Sequence, residues 1–323
     1  MAMLRFGPLP LALAVLAFAQ QAAAQPTSPM DVLLRQDVRL AHVAEGLLAA
    51  NRGLCRLRMP LTGMVLHSQD QYRPEVAGDA FANGSIAVAA VLPGSAAAEA
   101  GVAAGDAVAA IGDRRTETLR VEEGPLRDAA FGALANQAGT VVLAVVRGGQ
   151  ERTVALEAPE GCRALVEIRA ESELSARSDG RVIQVNHGLA AAASDAELAV
   201  VFAHELGHLV LEHRRRLEQA GVEKGFFGEF GRNQKLNRQV EVEADRISVH
   251  LLANAGYDPA IAPAFWRSRL GRRAAGGLFR SATYPTTEAR ARLVEQEIAD
   301  YLGAGAAPTF PGHLLARREL PFD

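Results

Sequence analysis

A chain of 323 residues, 49% hydrophobic and 22% charged, has material for a buried core and for one or two domains. Its 34 Lys and Arg against 37 Asp and Glu leave a net charge of −3, so there is no basic excess to neutralise a phosphate backbone and no nucleic-acid partner is expected. Two cysteines exclude a disulfide scaffold or a thiolate zinc cage.

Residues 1–24 read as an export signal. Arg5 supplies the positive start, Leu11 to Ala19 the short apolar stretch, and Ala22, Ala23 and Ala24 the small residues for cleavage. That stretch is shorter than the roughly 20 apolar residues a membrane span needs. The expectation is a soluble exported protein, periplasmic, with no transmembrane anchor after cleavage. Residues 31–50 place Leu40, Val43, Leu47 and Leu48 at helical spacing. Residues 31–60 then form the N-terminal helical part of a domain that resumes at 161.

From residue 61 to 160 the texture becomes short β-like runs divided by glycines. Val141 to Val146, turned by Gly148-Gly149 into Thr153 to Leu156, is the clearest hairpin. Pro93-Gly94 makes a turn, Ser95 caps a short helix ended by Gly101, and Gly105-Asp106 turns into the next strand. This run resembles a bacterial PDZ domain. The resemblance implies capture of extended peptides or free C-termini beside a loop near Leu61 to Met64. Cys55 and Cys162 flank the block; in an oxidising compartment they can pair, and otherwise they are two buried thiols.

After Cys162 come Val166 to Ile168 and an alternating strand, Arg181 to Val185, whose edge is expected to receive substrate. A helix follows, capped at Ser194 or Asp195 and reinforced by Glu197. It carries His204-Glu205-Leu206-Gly207-His208. Residues i and i+4 on a helix lie one above the other, so both imidazoles can reach one metal ion, and Glu205 can address a water there. A third ligand is still needed. A second helix, from about 236 to 253, offers Glu241, Glu243 and Asp245. Glu241 and Asp245 share a face, so Glu241 suits the metal and Asp245 the outer N–H of a ligating histidine. Glu243 as the ligand is the competing assignment.

The His204–His208 motif, the Glu241/Asp245 pair with Ala244 and Arg246, and the approach Asp195 to Ala199 resemble the gluzincin family of HtpX, the BepA periplasmic proteases and the CAAX prenyl endopeptidases. The resemblance implies one Zn2+ per chain on His204, His208 and Glu241, with Glu205 catalytic. The family commonly has a His-Pro pair further on, where this chain has Tyr284-Pro285. Tyr284 can donate to an oxyanion or simply pack at a helix start. His213 is expected to face solvent or at best to support the site, and His187 and His250 to be structural. Arg214, Arg215 and Arg216 read as a solvated helix end, and Phe226, Phe227 and Phe230 as a lid or a small loop core. A last helix is expected over 286–302.

The expected fold class is therefore α+β: a mainly helical zincin-type metalloprotease core (161–305) with a small sheet, an inserted β-rich PDZ-like domain (61–160) and an extended tail (306–323). The expected function is an endopeptidase acting on unfolded or damaged envelope proteins, with polypeptide substrates as partners. The alternative is a PDZ-centred adaptor or chaperone with a latent or structural metal site.

Overall fold

In the computed structural model, Ser28 opens helix α1 (Pro29–Ala50) with a reciprocal capping box to Asp31, and the Leu40, Val43, Leu47 and Leu48 stripe is buried. The structure describes residues 28–121, 124–222, 231–278, 285–303 and 308–322. The expected export signal at 1–24, Phe226, Phe227, Phe230 and Tyr284 lie outside the described residues.

The chain then runs through β1 (Arg58–Pro60), β2 (Met64–Ser68), α2 (Pro74–Ala77), β3 (Ile86–Val91), α3 (Ala96–Glu99), β4 (Ala107–Ile111) and β5 (Arg114–Arg115). It continues through α4 (Leu126–Ala135), β6 (Val141–Arg147), β7 (Gln150–Leu156) and β8 (Glu160–Cys162). Strands β2 to β7 make a six-stranded antiparallel sheet of order β2-β3-β4-β6-β7, with β5 paired to β4, so β2 is an edge. Ile86, Val88, Ile111, Leu143 and Leu156 form its own hydrophobic core with Ala130 and Leu134 of α4. Helix α4 was not anticipated from sequence.

At the neck of this unit β1 pairs antiparallel with β8, and Cys55 is joined to Cys162 by a disulfide. The bond closes a separation of 107 residues. Both sulfurs sit in the core of the other half of the molecule, with α1 and the later helices.

That half holds β9 (Leu165–Arg169), β10 (Ala176–Ser178), β11 (Val182–Asn186), α5 (His187–Ala192), α6 (Asp195–Val210), α7 (His213–Gln219) and α8 (Gly231–Asn254). It ends with α9 (Ile261–Arg267), α10 (Arg269–Leu278), α11 (Thr287–Tyr301) and α12 (Gly312–Leu315). Its small sheet has the order β10-β11-β9. This corrects the sequence reading of Arg181 to Val185 as an edge: β11 is flanked on both sides, and the edge nearest α6 is β10. The reason is that the bend at Asp179 and Gly180 folds a three-residue strand back beside β11, too short a segment to show alternation.

The tail expected to be extended is not. Residues 308–322 include α12 and a 3₁₀ turn, with Leu314 in the core and the Arg318 guanidinium donating to the Leu54 carbonyl. No helix among the described residues is long and apolar enough to cross a membrane. The molecule is an α+β protein.

Candidate metal centre

Helix α6 is apolar almost all round and nearly wholly buried, which makes it the central element of its half. Ser194 caps it in a reciprocal box with Glu197, so its register is fixed from the first turn. Helix α8 crosses it at Gly207. A Cβ there would lie 2.7 Å from Ile247 Cγ2 and 3.2 Å from the Ala244 carbonyl oxygen, so only glycine permits this approach. The contact brings the histidines of α6 against the carboxylates of α8.

His204 Nε2 and His208 Nε2 are 3.2 Å apart, and Glu241 places its two oxygens 3.2 Å and 3.5 Å from them. Donors about 2.0–2.1 Å from a tetrahedral ion stand roughly 3.3–3.5 Å from one another. The three side chains fit zinc on that ground. They fit on a second: Glu241 Oε2 is buried and takes no hydrogen bond, facing only the imidazole.

The hydrogen-bond network assigns the tautomers. His204 Nδ1–H donates to Asp245 Oδ1 at 3.1 Å, which turns the bare Nε2 toward the cluster. Asp245 is itself gripped by Arg290 from α11, whose Nε and NH2 donate to its two oxygens at 2.7 and 2.6 Å. The guanidinium lies 3.5 Å over the Trp266 ring. On the other side His213 Nε2–H donates to Glu243 Oε2 at 3.2 Å, so His213 Nδ1 is bare and accepts from His208 Nδ1–H at 2.9 Å. Arg216 donates to the same Glu243 oxygen.

Sequence reasoning missed this support. It assumed α6 continues through His213, which would put that ring on another face. Glu212 instead adopts a left-handed conformation (φ 53°), ends the helix and restarts the chain as α7, folding His213 back onto His208. Arg216, expected in solvent with Arg214 and Arg215, is buried on Glu243. Glu243, the competing ligand, points away from the three donors into this pair. His187 begins α5 and His250 lies further along α8, neither at the centre.

Charge follows the geometry. Burial opposes protonation of His204, but the Asp245 and Glu241 carboxylates outweigh it and raise the imidazole above its ordinary value, so a proton and a metal ion compete for Nε2. Burial holds His208 neutral, well below its ordinary value. Burial would raise the Glu241 carboxyl, yet the two histidines and Arg290 hold it below its usual range. Glu243 is likewise held down to about 2, against burial, by His213 and Arg216. Glu205, 4% exposed on α6, is pushed up by burial to about 7, with a hydrogen bond from the Ser178 backbone of β10 opposing the shift.

Residues 174–298 match Peptidase family M48. The chain is also similar to the mitochondrial metalloendopeptidase OMA1 of Arabidopsis thaliana, 33% identical over 125 residues. That match covers 32% of this chain, which spans only 24% of the relative's length. Every side chain of the centre described above falls within the matched residues. Over residues 174–298 the chain is thus similar to the zinc metallopeptidases of family M48.

Proposed function

We propose that the protein is a periplasmic zinc endopeptidase acting on unfolded or damaged proteins of the cell envelope. The observation that carries this reading is the buried trio of His204, His208 and Glu241 with Glu205 beside it on the same helix. When bound, zinc would supply Lewis-acid polarisation of the scissile carbonyl and acidify the attacking water. Glu205 takes the proton of that water and returns it to the leaving amine nitrogen; a carboxyl near neutrality suits both transfers. Asp245 and His213 keep the two imidazoles turned inward throughout. An extended substrate adds to the β10 edge, whose Ser178 already touches Glu205. Such a strand must be unfolded to reach the cleft.

In this reading residues 61–160 are a PDZ-like insert that recruits or positions substrate. Its support is a cleft beside the edge strand β2, lined by Leu66, Phe131 and Leu134 and walled on the far side by Ala41 and Leu48 of α1. In this reading an extended peptide or free C-terminus pairs with β2 along that cleft. The insert's frame is tied to the peptidase half by buried polar bridges: His67 to Asp37, and Arg127 to Glu167.

Glu205→Gln is the decisive variant. It keeps zinc and loses digestion of an unfolded casein-like substrate by about 10²–10⁴-fold, the range of general acid–base catalysis. Retained digestion would exclude the mechanism, and a wild-type protein that binds but never cleaves would favour the adaptor.

A further inference from the structure

A second pair of histidines shares one glutamate at the far end of α8. His250 Nε2 lies 3.1 Å and His313 Nε2 2.7 Å from the same oxygen, Oε1, of Glu297. The three residues come from α8, α12 and α11, and their donor atoms all fall within 4.8 Å of one another. His250 and Glu297 are buried, whereas the His313 side chain is 27% exposed and leaves a path from solvent.

We propose that His250, Glu297 and His313 hold a second zinc ion, which fastens residues 308–322 onto α8 and α11. Two neutral imidazoles and one carboxylate oxygen are a borderline-soft donor set of the kind zinc takes, with a fourth position open to water. The surroundings are those of ligands held for a metal. His250 Nδ1 is 2.8 Å from the Thr309 hydroxyl, which can accept its proton and leave Nε2 bare toward Glu297. Arg246 donates to the other oxygen, Oε2, at 2.6 Å, orienting the carboxylate while leaving Oε1 to the cluster. The His313 ring is stacked on Tyr301 with centroids 3.8 Å apart. The 2.7 Å edge has to widen by about half an ångström to reach tetrahedral spacing. His313 can supply that movement, being partly exposed on a four-residue helix.

The ion would act on structure rather than on bond cleavage. The segment it fastens also carries Arg318 onto the Leu54 carbonyl and Phe322 over Arg216, 4.3 Å from the ring centroid. Arg216 is the residue that braces Glu243.

The test is a count. The full chain, loaded with zinc and dialysed against metal-free buffer, should hold two zinc ions by plasma mass spectrometry and by competition with a chromophoric chelator. His313→Ala and the milder His313→Gln should each hold one, and the cobalt-substituted variants should lose one of two sets of visible absorption bands. Circular dichroism of the variants checks that they fold, and His250→Gln provides an independent removal of the same ion. One zinc in the wild type, or two retained when His313 and His250 are replaced, overturns the proposal. The count does not depend on proteolysis: two ions without cleavage would sink the proposed activity and leave this site standing.

Discussion

Helix α8 carries two clusters of the same composition, two histidines and a glutamate, at opposite ends of about 13 Å of helix. They are anchored differently. At His204, His208 and Glu241 each imidazole passes its outer N–H into a charged system, Asp245 with Arg290 on one side and His213 with Glu243 and Arg216 on the other. At His250, Glu297 and His313 the outer nitrogen of His250 meets only a hydroxyl, and the arginine sits on the glutamate itself. The first arrangement leaves the glutamate oxygens free for an ion and spends its charge on aiming the histidines. The second already half-neutralises its carboxylate. Strong rigid binding is expected of the first cluster and weaker, structural binding of the second.

The largest break in this comparison comes at Asp245. Asp245→Asn keeps the shape but removes the carboxylate charge that Arg290, 1% exposed, grips with two hydrogen bonds. Breaking a buried pair of this kind costs about 3–5 kcal/mol, to be read from denaturant unfolding. Zinc affinity at the first cluster should fall by roughly 10–100-fold in chelator competition. Unchanged stability and affinity together would show that the Arg290–Asp245 bracket aims nothing.

His213→Ala comes next. It removes the acceptor that fixes the His208 tautomer and should weaken the first zinc by about 10–100-fold with a smaller loss of stability. Glu243→Gln should shift affinity in the same direction, because its amide can present an N–H where His213 expects an acceptor. Neither change should alter occupancy at His313. A zinc affinity in His213→Ala equal to that of the wild type would return the ring to a packing role.

How far these features were legible depends on whether they are local. His204, Glu205 and His208 stand on one helix, and helix geometry alone joins them; Glu241 and Asp245 follow from the same i, i+4 rule on the next. The Ser194 cap and the β6–β7 hairpin were equally readable, since a box and a Gly-Gly turn are chemistry between near neighbours. The supports were not. His213 depends on one left-handed residue, Glu212, which no glycine advertised. Arg290 reaches Asp245 across 45 positions, and His313 reaches Glu297 only because the final segment folds back. Those contacts exist through tertiary packing, and no periodicity in the chain encodes them. The packed tail was misread for a related reason: α12 is a single turn, too short to show a repeat.

The smallest expected effect sharpens the comparison most. Thr309→Val is nearly isosteric and removes only the hydroxyl at His250 Nδ1. A neutral hydrogen bond contributes about 1 kcal/mol net, so zinc affinity at the second cluster should fall about fivefold and the first should not move. His213 is itself polarised by its hydrogen bond to the Glu243 carboxylate, so the loss from His213→Ala at the first cluster should exceed the loss from Thr309→Val at the second. Both are measured by the same chelator competition on the same protein. Equal losses would mean that the charged bracket around His204 and His208 adds nothing over a single hydroxyl. The two clusters would then differ in position alone.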